Sequence, residues 1–153
     1  YLGFSFHDTY DVFEEIINYY DWDFCQIQYN YMDTDIQAGD KGYKLTEEKG
    51  IPLVIMEPIK GGALANLPGD ITNIFKAYDP EATNSRWALR WVATHPNVKI
   101  ILSGMSSEEH VKDNLETFNL EDNSKINYIE KEGKIEITTH ALKNEYYIEI
   151  IDK

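Results

Sequence analysis

Four short, near-continuous apolar runs, each followed by an amphipathic segment, constrain this chain more than any other feature of its sequence. The runs fall at residues 2–6, 24–29, 52–56 and 98–102. After the first, Asp8 or Thr9 is placed to cap a helix that gathers Val12, Phe13, Ile16 and Ile17 on one face. Residues 38–49 read as a second helix, stopped by Gly50. A Gly-rich loop and an irregular insert lead to a strong helix over residues 85–94 (Trp87, Ala88, Leu89, Trp91, Val92). Ser106 or Ser107 then precedes a last helix, 108–118, with Glu108 and Glu109 in its first turn, as the helix dipole favours. Strands without polar alternation, separated by helices, predict a parallel α/β unit whose sheet is covered by those helices. Spacing alone leaves open a doubly wound sheet or part of a (β/α)₈ barrel.

The pattern changes near Asn119. Residues 127–153 are rich in Ile, Tyr, Glu and Lys, with alternation at 134–138 and a second run at 146–151, which predicts an antiparallel hairpin or two edge strands forming an appended tail over 119–153. At 153 residues and 42% hydrophobic content the chain can bury one sizeable core. A net charge of −13 disfavours nucleic acid and anionic lipid, because an acidic surface repels phosphate. No run approaches the roughly 18 apolar residues of a membrane span, and no signal-peptide pattern opens the chain, so a cytoplasmic protein is expected. Cys25, the one cysteine, excludes an intrachain disulfide, a cysteine-based zinc site or an iron–sulfur cluster built by this chain, and inside an apolar run it reads as an inert core thiol. No metal site is expected.

In parallel α/β folds, chemistry gathers where strands end and loops begin. Gln26 and Asn30 offer amides to a planar heterocycle, or satisfy backbone at a strand end. Gly61, Gly62 and Gly104 allow backbone N–H groups close to phosphate oxygens, or serve tight turns. His7 lines a ligand edge or caps a strand-to-helix turn; His95 and His140 read as structural or solvated, and Trp87 and Trp91 as packing on the sheet. There is no HExxH, Walker lysine motif or GxSxG elbow.

Five blocks in order carry a resemblance: GFSFHD (3–8), DFCQIQYNYMD (23–33), KGIPLVIMEPIKGGALA (49–65), ALRWV (88–92) and LSGMSSEEHVKDNL (102–115). The chain resembles the C-terminal half of an aldo-keto reductase, and is most similar to the subgroup that carries a ferredoxin-type iron–sulfur module. That resemblance implies a partial TIM barrel, with strands five to eight and their helices over residues 1–118. It also implies the cofactor contacts. Ser5 and Gln26 would meet the nicotinamide carboxamide, with Phe6 where many members have asparagine, and Met56 would stand where a tyrosine often stacks on the ring. Pro58, Ile59, Gly61 and Gly62 would line the pyrophosphate; Gly104, Met105, Ser106 and Ser107 the adenosine phosphate; Asp113 and Asn114 the adenine. His110 stands where many NADPH-selective members place arginine, which weakens the case for NADP(H) over NAD(H). No segment matches the family's tyrosine, lysine, aspartate and histidine of catalysis; Tyr29, Tyr31 and His7 are not assigned that role, and no catalytic residue is expected here.

The expected function is therefore that of an NAD(P)H-dependent oxidoreductase acting on a carbonyl or alcohol, with this chain supplying the cofactor-binding half and inactive alone. The other reading is a noncatalytic half-barrel that binds nucleotide or associates with protein. Half a barrel exposes edges and an inner face, so a missing N-terminal half, a second copy or the tail is expected to cover it. A chain that opens on a strand without methionine suggests a fragment.

Overall fold

A computed structural model of the chain describes residues 1–118 and the strands at 126–131, 134–139 and 146–149. The first part alternates as expected: β1 (Gly3–Ser5), α1 (Tyr10–Tyr19), β2 (Phe24–Gln28), α2 (Gly39–Lys49), β3 (Leu53–Met56), then, after an insert, α4 (Asn84–Ala93), β4 (Val98–Ile101) and α5 (Glu108–Phe118). The insert is not irregular. It holds a 3₁₀ segment (Lys60–Ala65) and a helix, α3 (Gly69–Tyr78).

All three pairings among β1 to β4 are parallel, and the strands lie in sequence order. This order separates the two topologies that spacing left open. A doubly wound sheet reverses direction at a switch point, whereas crossovers of one hand that always step the same way leave their helices on one face. Here α1 packs on α2 and α4 on α5. The chain is thus an α/β unit of barrel type along these four strands. Beyond β4 the sheet continues through β7 (Tyr146–Glu149), β6 (Lys134–Thr139) and β5 (Ile126–Lys131). The β5–β6 and β6–β7 pairs are antiparallel, and β7 runs parallel to β4 through the pair Ile100 and Tyr147. Three strands therefore occupy a region expected to hold two. His140, the onset of the tail at Asn119 and the end of its last run at Ile150 and Ile151 lie outside the described residues.

The core sits between sheet and helices. Cys25 and Ile27 of β2, Leu53 and Ile55 of β3, and Val98 and Ile101 of β4 are buried against Phe13 and Ile17 of α1 and Leu89 and Val92 of α4. Each large side chain so buried contributes on the order of 1.5–3 kcal/mol by removal from water. Residues between these, Gln26, Gln28, Val54, Met56 and Ile100, are only half-buried on the opposite face, and Phe24 is exposed. Burial therefore alternates along β2 and β3, although their sequences read as near-continuous apolar runs. Among the described residues nothing comparable to the helical layer covers this second face.

Helix ends follow local chemistry. Gly50 closes α2 in the left-handed conformation (φ 68°) and returns its N–H to the Thr46 and Glu47 carbonyls. Thr83 caps α4 by accepting from the Arg86 N–H. Thr9 holds the same position before α1 yet makes no side-chain cap bond, and Asp8 instead accepts from the Thr9 N–H at 2.7 Å. Trp91 packs on Tyr29 as expected of a wall residue, but Trp87 stacks on Phe75 of α3, with ring centroids 5.4 Å apart.

Candidate functional site

The loop after β3 departs most from ordinary backbone. Glu57 (φ 54°) and Lys60 (φ 51°) are left-handed although neither is glycine, and Gly61 (φ 59°) and Gly62 (φ 91°) continue the run. Such residues cost energy unless their surroundings fix them, and they concentrate where backbone is shaped for a ligand. The fixing elements come from the neighbouring loop after β2. Asn30, fully buried, donates from Nδ2 to the Glu57 carbonyl at 3.0 Å and accepts the Met32 and Asp33 N–H groups on Oδ1. Asp33, 1% exposed, accepts from Asn30 Nδ2 (3.0 Å), Gln28 Nε2 (2.9 Å) and the Lys60 ammonium. Burial pushes the Asp33 carboxyl up, but the Lys60 ammonium and the two amides outweigh it and hold its pKa below the usual carboxylate value. Asn30 is thus fully engaged within the protein, the structural one of its two readings.

The loop after β4 faces this one. Ser103 is buried and its hydroxyl accepts from Asn114 of α5 at 2.9 Å. Ser107 caps α5, accepting from the His110 N–H at 3.3 Å, and the Ser106 N–H donates to His110 Nδ1 at 3.4 Å. Asp113 receives Arg86 Nη2 at 2.9 Å and the Thr83 hydroxyl at 2.6 Å, so both its oxygens already hold partners within the chain. Between the two loops lies an open cleft of about 570 Å³, within the size range of sites for small molecules and cofactors.

The cleft brings together Met56, Pro58, Ile59, Gly61, Gly62, Gly104, Met105, Ser106, His110, Asp113 and Asn114. A Cβ built at Gly62 or Gly104 would meet nothing within 4 Å, so open space stands before the backbone at both points. Ser5 and Gln26 lie outside the lining but adjoin it: Gln26 Nε2 donates to Ser5 Oγ at 3.4 Å and approaches Met56 Sδ at 3.5 Å, which links the middle of β2 to the ends of β1 and β3. Ser107 is absent from the lining and serves as the cap. Phe6 is brought elsewhere, its side chain buried on the helical side with its ring 5.0 Å from that of Phe13.

Glu57, Ala65, Asn66, Ser85, Leu102 and Ser103 also line the cleft, unanticipated from sequence. Glu57 sits between two anticipated neighbours and was within reach of sequence reasoning. Asn66 and Ser85 are not, because only the packing of α4 on the 3₁₀ segment delivers them. No lysine or arginine is among the lining residues.

The remaining polar candidates sit apart. Tyr29 is 2% exposed, donates to Asp40 at 2.6 Å, and lies in an aromatic group with Tyr43, Trp91 and His95. Burial and the Asp40 contact both push its hydroxyl pKa up, so it stays protonated. His95 is held by the Trp91 carbonyl at 3.0 Å, in keeping with a structural role. His7 is exposed, 3.5 Å from Ser5 Oγ. Cys25 is fully buried, which pushes its thiol up to about 12 and leaves it inert as expected. Among the described residues no three or more His, Cys, Asp or Glu are grouped to hold a metal, and no helix is long and apolar enough to cross a membrane.

The family model described as the aldo/keto reductase family matches residues 1–132. No curated protein and no solved structure matches the chain.

Proposed function

The chain belongs to the aldo/keto reductase family, whose members are in general NAD(P)H-dependent oxidoreductases, and on that footing we propose that it holds the nicotinamide dinucleotide for hydride exchange with a carbonyl or alcohol. In this reading β1 to β4 are barrel strands five to eight, residues 1–118 form the C-terminal half of the barrel, and 119–153 are an appended tail. The observation that carries it is the convergence of the β3 and β4 loops on one cleft, with Gln26, Ser5 and Met56 joined at its side.

The residues suit the group. Gln26 and Ser5 present an amide and a hydroxyl to a carboxamide, and Met56 offers a polarizable thioether to a ring. Gly61, Gly62 and Gly104 leave their backbone open to phosphate, two of them with no obstruction where a Cβ would stand. Ser106, His110 and Asn114 border the adenosine end, while Ser107 contributes by fixing the start of α5. The bound nicotinamide supplies the hydride. This chain orients it; its buried Tyr29 is turned to Asp40, and the proton for the substrate oxygen comes from the other half of the barrel. Glu57 carries a carboxylate at the cleft, that of Asp113 is paired with Arg86, and no lysine or arginine lines the cleft to receive an extra phosphate, so NADH is bound at least as tightly as NADPH.

Titrating the chain into NADH and into NADPH while following nicotinamide fluorescence tests this. Saturable binding, with NADH preferred or equal, is expected; no change with either dinucleotide would leave the association module as the surviving reading. An aldehyde-reduction assay of the chain alone should show no turnover, and turnover would place the proton donor within it.

A further inference from the structure

We propose that Asp33 and Lys60 form a latch that holds the β3 loop in its cofactor-receiving shape, which makes both of them positioning residues; the proposal rests on the reading of the cleft as the dinucleotide site. Neither residue lines the cleft, so any effect on binding passes through the loop.

The loop has two left-handed non-glycine residues, Glu57 and Lys60, with Pro58 and Ile59 between them and Gly61 and Gly62 beyond. Left to local preference, both would relax toward right-handed backbone, because an L side chain in the left-handed region crowds its own carbonyl. Each is restrained from the same place. Asn30 holds the Glu57 carbonyl at 3.0 Å, and Asp33 holds the Lys60 ammonium. Asn30 and Asp33 are bonded to each other through Asn30 Nδ2 at 3.0 Å and the Asp33 N–H at 3.1 Å, with Gln28 bracing the carboxylate at 2.9 Å. The β2 loop is therefore a buried polar platform that clamps both ends of the strained segment.

Charge strengthens the clamp. Asp33 is 1% exposed and cannot lose its cationic partner cheaply, while the Lys60 side chain, 41% exposed, reaches it from the solvent side. The pairing also cancels a negative charge next to a cleft that is read as holding a pyrophosphate.

The test compares the unaltered 153-residue chain with D33N, K60M, the double variant D33N/K60M and the conservative K60R. Two readouts are taken at neutral pH on samples that melt cooperatively: the affinity for NADH by nicotinamide fluorescence, and the amide resonances of Gly61 and Gly62 in ¹⁵N-labelled protein without ligand. We expect D33N and K60M each to weaken NADH at least tenfold and to move both glycine resonances. The double variant should bind no more weakly than the poorer single, as one latch can be lost only once, and K60R should stay within threefold of the unaltered chain. K60M strands a buried charge; if it fails to fold, the double variant carries no such charge and still decides. If the unaltered chain binds NADH and the folded variants bind it equally with unmoved glycine resonances, the latch is overturned while the dinucleotide reading stands. If the unaltered chain does not bind NADH, the dinucleotide reading falls and takes the latch's role with it.

Discussion

Gly39 opens α2 at φ 51°, and a Cβ there would lie 2.3 Å from the Thr34 carbonyl oxygen, inside any tolerable contact. Gly50 closes the same helix at φ 68° with nothing within 4 Å of a Cβ. The two glycines thus separate conformational strain from steric collision within one element. Gly50→Ala should cost only the left-handed penalty, about 1 kcal/mol, whereas Gly39→Ala must also displace backbone that the Asp40 N–H holds through the same Thr34 oxygen at 2.7 Å. Urea unfolding of both variants should show Gly39→Ala losing at least twice as much stability as Gly50→Ala. Equal losses would mean that the Thr34 turn yields freely. Gly50 was legible in sequence as a helix stop, since the lysine before it and the apolar strand after it mark the boundary. Gly39 was not, because its requirement arises from a carbonyl five residues back in a turn that carries no apolar period.

Threonine stands at the N-cap of both α1 and α4, yet only Thr83 uses its hydroxyl as a cap, accepting from the Arg86 N–H at 3.1 Å and donating to Asp113 of α5 at 2.6 Å. Thr83→Ala should therefore lower stability by about 1–2 kcal/mol, and Thr9→Ala by no more than a few tenths, as denaturant midpoints would show. A comparable loss from both would mean that the hydroxyl of Thr83 is not the source. α2, α4 and α5 fall within a residue or two of their expected bounds, and α1 holds the expected face of Val12, Phe13, Ile16 and Ile17 against the core. α3, in the segment expected to be irregular, buries no residue and leaves Ile71, Ile74 and Tyr78 exposed. Its signal was nonetheless present, as Ile71, Ile74, Phe75 and Tyr78 keep the i, i+3, i+4, i+7 spacing of a helix face between Pro68 and Pro80. Much of the cleft was legible from its loop residues; the β2 platform was not, for Asn30 and Asp33 look like any strand-end polar pair until Lys60 and Glu57 are folded onto them.

At the scale of the whole molecule, 27 acidic residues against 14 basic ones leave a net charge of −13 at pH 7, and self-repulsion of that size opposes compaction. Screening should relieve it: the Debye length falls from about 10 Å at 0.1 M ionic strength to about 3 Å at 1 M. The melting temperature at pH 7 should therefore rise when sodium chloride is raised over that range. Near the isoelectric point, about 4.6, the net charge is small and the same salt should do little. Further acidification brings in a term of opposite sign. The folded Asp33 carboxyl titrates below its ordinary value of 3.8, so its stabilising contribution is fully present above 3.8 and is lost as pH falls through the lower folded value. Melting curves from neutral pH downward should accordingly show salt sensitivity fading toward the isoelectric point and then stability falling below about pH 3.8, and Asp33→Asn should flatten only that final acid limb. A salt response of equal size at pH 7 and at the isoelectric point would show that preferential ion effects, and not net charge, govern the stability of the fold.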